Sequence, residues 1–130
     1  MVEVLKKELR LPFDDAVKAV EKAATEAGFM VMMVKPIHEV FKQKLGVDYP
    51  RYTMLCVCGA DIAKMALDAS KEAGALFPCS FVVYEDGGKV YAMHVSTMKS
   101  AVELKLAPAG AMQPAIEEAG KRTRKVWEKI

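Results

Sequence analysis

The 130-residue sequence contains no asparagine and only two glutamines, Gln43 and Gln113. Heat-labile amides are depleted in proteins from hot habitats, so a thermophilic source is expected, with chance depletion in a short chain as the competing explanation. Long hydrophobic runs are also missing. A membrane-spanning helix needs roughly 18 consecutive apolar residues, and the longest run here, residues 29–34, is strand-sized. The first ten residues carry charges where a secretory leader would place its apolar centre, and a cytoplasmic protein is expected. Cysteine is scarce and odd in number, at Cys56, Cys58 and Cys79, which argues against a disulfide framework. Neither sign of charge dominates: 19 basic and 17 acidic side chains leave a net +2, too balanced to suggest a nucleic-acid partner. The one basic cluster, residues 121–125, is flanked by Glu117, Glu118 and Glu128. It reads as a solvated helix face with a favourable charge near the C-terminal end. A single-stranded nucleic-acid site would also need a stacking platform, and only Trp127 is near.

Familiar catalytic signatures are absent as well. The sequence holds no Gly-x-x-x-x-Gly-Lys phosphate loop, no Gly-x-Gly-x-x-Gly and no Gly-x-Ser-x-Gly elbow. The acidic pair Asp14-Asp15 is accounted for by its place at the start of a helix.

What remains is the composition of a globular chain. The length is that of one domain, 1–130, large enough to bury about two-thirds of its unfolded surface, and the 52% hydrophobic and 28% charged residues exclude disorder. Residues 2–11 alternate weakly, with Leu5, Leu9 and Leu11 on one face, and predict a strand closed by Pro12. Asp14 or Asp15 is the expected cap of a helix whose stripe is Ala16, Val20, Ala23 and Ala27, stopped by Gly28. The continuously apolar residues 29–34 predict a central strand covered on both faces. Pro36 opens a short helix with Ile37, Val40, Phe41 and Leu45 as its buried face. A strand follows over 52–58, then a helix over 60–73 with Ile62, Ala66, Ala69 and Ala73 on its stripe. Strands over 80–85 and 89–96 are joined by Asp86-Gly87-Gly88, the strongest hairpin signal in the chain. A short helix around 97–105 and a long one from about Pro114 complete the reading. In the long helix Ile116, Ala119, Thr123, Val126 and Ile130 form a seam for the sheet or a partner. The principal order is β-α-β-α-β-α-β-β-α. It describes an α/β chain of the α+β type with helices packed on one mixed or antiparallel sheet.

Positions able to carry chemistry are few. Cys56 and Cys58 would face one side of their strand, roughly 6.6 Å apart at ~3.3 Å per residue, which is not the Cys-x-x-Cys spacing of zinc knuckles or redox helices. Cys58 and Gly59 stand just before a predicted helix, whose N-terminus lowers a thiol pKa and attracts anions. If the strand after Cys79 pairs with 52–58, Cys58 and Cys79 share one end of the sheet. That pair reads either as a redox-active or ligand-touching site or, more commonly, as small apolar core filler. His94, with Val90 and Ala92 on its own face, is more often packed than ligating. No metal site is expected, because Cys79, His38 and His94 are far apart in sequence and His38 has no partner one turn on. The nine methionines are core filler before they are ligands of a cofactor.

Several stretches together resemble the family catalogued as domain of unknown function 302. They are Phe13-Asp14-Asp15-Ala16, Ala27-Gly28-Phe29-Met30-Val31, Phe41 through Leu45-Gly46, and Tyr52-Thr53-Met54-Leu55-Cys56-Val57-Cys58 with the helix after it. Then come Gly74-Ala75-Leu76-Phe77-Pro78-Cys79 and Phe81-Val82-Val83-Tyr84-Glu85. The most specific piece is Leu76-Phe77-Pro78-Cys79, which looks like the family's Leu-Leu-Pro-Cys. Cys58-Gly59-Ala60 replaces a frequent Cys-Asn-Pro, and an Asp-Pro often found near Ser96-Thr97 is missing. The resemblance implies a two-layer α/β sandwich and a homodimer, and no activity, cofactor or catalytic residue. The expected function is therefore a non-enzymatic homodimer holding a small ligand or partner near Cys58, Gly59, Cys79 and His94. The last helix and the hairpin strand are the expected dimer surfaces. A thiol-based redox enzyme or sensor and a structural or regulatory subunit are the alternatives.

Overall fold

Among the described residues, 2–130, the computed structural model has five strands and five α-helices. In chain order they are β1 (Leu5–Leu9), α1 (Phe13–Glu26), β2 (Met30–Pro36), α2 (Ile37–Leu45) and β3 (Tyr52–Cys58). There follow α3 (Ala60–Ala69), β4 (Cys79–Asp86), β5 (Lys89–His94), α4 (Thr97–Glu103) and α5 (Ala109–Lys129). One five-stranded sheet runs β1-β5-β4-β3-β2, and every neighbouring pair is antiparallel. The fold is α+β, with helices packed on this sheet. The β4–β5 hairpin turns on Gly87 and Gly88, both at positive φ (59° and 78°), the conformation a two-residue turn between twisted strands demands.

Strand alternation sorts the sheet into two faces. Thr53, Leu55 and Val57 of β3 lie in register with Val83, Phe81 and Cys79 of β4, and Phe81, Val83 and Cys79 pack with Val90 and Ala92 of β5 in or against the core. The helices supply Phe13, Ala16 and Val20 from α1, Ile62 and Ala66 from α3, and Met112, Ala115 and Val126 from α5. Fully burying each large apolar side chain contributes about 1.5–3 kcal/mol. The opposite face bears Tyr52 and Met54 of β3, Val82 and Tyr84 of β4, and Tyr91 and Met93 of β5, none of them in the core cluster. There Tyr84 stands between Tyr52 and Tyr91, at centroid distances of 5.9 and 5.5 Å, and Lys6 Nζ caps the Tyr91 ring at 4.4 Å.

Several expectations are corrected. β2 is an edge strand, not a central one, and Met30 (59%) and Met33 (49%) are exposed. A continuous apolar run reads as two-sided burial, yet here one flank of the strand has no neighbour. Its register breaks at a bulge between Val31 and Met33, a common device at sheet edges. α2 buries no residue, and Leu45 stands in solvent. Pro12, not Asp14 or Asp15, occupies the cap position of α1, with both aspartates in its first turn. The helix expected over 60–73 ends at Ala69. Ser70 turns extended, its hydroxyl donates to the Leu106 carbonyl (2.6 Å), and a 3-10 segment, Lys71–Leu76, follows. Serine competes with the helix for backbone partners. α5 begins at Ala109 and takes Pro114 into its interior. Met112 and Ala115 are both fully buried, and that packing outweighs the hydrogen bond proline removes.

The seam of α5 faces inward, and Val126 is fully buried in the core. The hairpin strand β5 has no free edge, being flanked by β1 and β4, and presents Tyr91 and Met93 on the face away from the core.

Candidate functional site

The C-terminal ends of β3 and β5 and the start of β4 meet at one end of the sheet, because antiparallel pairing sets Val57 opposite Cys79 and Phe81 opposite His94. α5 crosses above them, and between helix and sheet end lies a cavity of about 760 Å³. Cys58, Gly59, Cys79 and His94 all line it. Phe29, Val57 and Ile62 supply apolar wall, as do Phe77, Met98 and Ile116. Thr123 and Trp127 come from α5, and Leu5 from β1. Lys99, Arg124 and Glu3 also border it, all three exposed to solvent. The Phe77–Pro78 bond in this wall is cis.

His94 is the principal polar group of the wall. It is 7% exposed and stacks on Phe81, with ring centroids 4.3 Å apart. Its Nδ1 donates to the Ser80 carbonyl at 2.7 Å, since a carbonyl can only accept. That fixes the tautomer and leaves Nε2 with a free lone pair. No buried side-chain nitrogen or oxygen among the described residues lacks a partner, so Nε2, for which no hydrogen bond is formed, borders open space. Burial holds the imidazole pKa below its ordinary 6.5, against a smaller opposing effect of the Ser80 hydrogen bond. The ring is therefore neutral at physiological pH.

The three cysteines are unpaired. Cys58 and Cys79 both reach the cavity, whereas Cys56 does not line it. Burial pushes the Cys79 thiol up, with the Thr97 hydroxyl opposing and Cys58 adding to the rise. An activated thiol needs the opposite shift. His38 lies away from this group: its Nδ1 accepts from the Tyr52 N–H at 3.0 Å and its ring meets Phe13 edge-on. Among the described residues no three His, Cys, Asp or Glu side chains cluster as a metal site.

Gly59 has a structural reason to be glycine. A Cβ there would stand 2.8 Å from Arg122 Nη1 and 3.1 Å from Ile62 Cδ1. Arg122, read in the sequence as part of a solvated basic face, is instead only 14% exposed in its side chain. It grips Asp61 through two bonds (3.0 and 2.6 Å), donates to the Gly28 carbonyl (3.1 Å) and pairs with Glu118 (3.1 Å). This ties α5 to the start of α3 beside the cavity. The Arg122 hydrogen bonds hold the Asp61 carboxyl below its ordinary 3.8.

Two titrations therefore act in one direction. Neutral burial of His94 makes the folded state bind fewer protons than the unfolded chain once the pH falls below 6.5, and Asp61 does the same below 3.8. Stability is present above those values and is lost on acidification through the lower folded-state pKa values. The melting temperature is expected to fall between about pH 7 and about pH 5, and His94→Phe to flatten that part of the profile. An unchanged slope in the variant would assign the loss to other groups.

Residues the sequence reading missed as cavity wall include Phe29, Met98, Thr123 and Trp127. Phe29 was assigned to a strand, Thr123 to the seam of the last helix and Trp127 to the border of the basic cluster, and none of them to a cavity.

The chain belongs to the family described as domain of unknown function DUF302, which matches residues 5–130. Its fold is that of a solved structure titled as an uncharacterized conserved DUF302 protein from Bacillus stearothermophilus. The two are 16% identical, with 98% of each chain covered and a TM-score of 0.84. No curated protein matches the sequence. No helix among the described residues is long and apolar enough to cross a membrane.

Proposed function

We propose that this chain is a non-enzymatic, single-domain homodimer that holds a small, mainly apolar ligand against Cys58, Gly59, Cys79 and His94. The observation that carries this reading is the cavity itself. At about 760 Å³ it falls within the roughly 300–1,000 Å³ of small-molecule sites, which are apolar with a few convergent polar groups. A hydrolase or transferase would need a nucleophile hydrogen-bonded to a base; the hydrogen bond His94 makes goes to the Ser80 carbonyl and not to a thiol or hydroxyl, and burial pushes the Cys79 thiol up. The homodimer is supported by the exposed methionines of β2 and by the row of Tyr52, Tyr84 and Tyr91 on the helix-free face. Methionine and tyrosine are enriched where proteins meet. Three unpaired thiols favour a reducing cytoplasm, and the absence of asparagine favours a thermophilic source.

Native mass spectrometry on gently purified protein, run without reductant or chelator, tests both parts. A mass of two subunits plus an added species that Ala119→Phe excludes is the expected result, because position 119 lines the cavity. A one-subunit mass would reject the dimer. An added mass retained by Ala119→Phe would place the ligand elsewhere.

A further inference from the structure

We infer that the ligand of this cavity is an apolar molecule bearing one uncharged hydrogen-bond donor, an alcohol or phenol, whose O–H is read by the free Nε2 of His94. The inference rests on the cavity-binding reading above and names the chemistry of its occupant.

Four observations converge. Nδ1 is bound to the Ser80 carbonyl at 2.7 Å, so the remaining ring nitrogen of this cavity-lining residue is an acceptor and asks for a donor. The ring is more than nine-tenths buried and pinned flat on Phe81, so its lone pair has a fixed direction. The wall is mainly apolar, with Phe29, Val57, Ile62, Phe77, Met98 and Trp127, and its other inner polar groups, the hydroxyls of Ser96, Thr97 and Thr123, are neutral, so a ligand charge carried inward meets no opposite charge. Burial also keeps the imidazole and the Cys79 thiol uncharged, so a carboxylate entering beside them would meet an unprotonated acceptor and no cation. Lys99 and Arg124 are solvent-exposed at the border, where water screens them.

A site built to bond a hydroxyl rejects the isostere that lacks it far more strongly than it distinguishes chain lengths. Three probes of near-equal size separate the possibilities: 1-decanol, nonyl methyl ether and decanoate. Trp127, the only tryptophan in the chain, lines the cavity and reports occupancy by its fluorescence. Decanol is expected to bind at least about tenfold more tightly than the ether, as one hydrogen bond to a buried group predicts, and decanoate more weakly than decanol. His94→Phe should bring decanol down to the ether's affinity. Since that variant also loses the Ser80 bond, the wild-type protein supplies an independent readout. On adding decanol the His94 Nε2 nitrogen resonance should move upfield, as it does when a lone pair accepts a proton-donor bond, and the ether should leave it in place. Equal affinities for alcohol and ether would overturn the donor inference and leave the cavity as a general apolar site. Tightest binding of decanoate would overturn it in favour of Lys99 and Arg124 as the selecting groups. No response to any of the three would overturn the binding reading itself.

Discussion

Phe81→Ala is expected to lower the unfolding free energy by about 3–5 kcal/mol, read as a lower urea midpoint at unchanged m. Phe81 is fully buried at the centre of the sheet. Its ring meets Phe29 at 6.1 Å, Trp127 at 6.5 Å and His94 at 4.3 Å. Truncation removes the wall on which His94 lies and joins a new void to the cavity already present. A rigid backbone cannot collapse into that space, since β3 and β5 hold β4 on both sides, so the cost belongs at the upper end for a large-to-small change. A loss under about 1 kcal/mol would mean that the ring is not packed among these partners.

Val126→Glu is expected to abolish folding rather than oligomerisation. Val126 is fully buried in the seam where α5 closes on the core, and the buried polar side chains among the described residues, Thr53, His94 and Thr123, include no lysine or arginine. An unpaired buried charge costs more than about 4 kcal/mol, most of the 5–15 kcal/mol that holds a typical domain together. Circular dichroism should report an unfolded or aggregated chain. A soluble, fully folded monomer would instead put Val126 at a subunit interface and restore the last helix as the dimer surface.

The sequence carried much of this architecture, and its failures have physical causes. The Gly87-Gly88 turn and the stripe of α1 were legible because each is a local rule: positive φ at a tight turn, and apolar spacing at the helical period. Edge or centre is not a local property. The run Met30–Val34 is as apolar as an interior strand, and only the closure of the sheet order left it outside. The site was partly legible. Cys58 and Cys79 were expected together on the condition that β3 and β4 pair, and Val57 opposite Cys79 fulfils it. His94 was placed on the correct strand, but its tautomer depends on the Ser80 carbonyl of the neighbouring strand, which no spacing in the sequence announces. Arg122 was hidden among basic neighbours because burial on one side of a long helix depends on what crosses it. Here Asp61 and the Gly28 carbonyl meet it from two distant parts of the chain.

The two rims of the sheet are blunted by different means. β1 sets Lys6, Lys7 and Glu8 along one open border, and β2 interrupts the other with a bulge at Met32. Charge and broken register both oppose the docking of a foreign strand. Open-ended growth by strand addition, the route to fibres, is therefore closed at both borders. The face left for the proposed homodimer is the tyrosine row with the methionines beside it. A face meeting its own copy about a twofold axis consumes itself in one step, so association of that kind would end at two subunits.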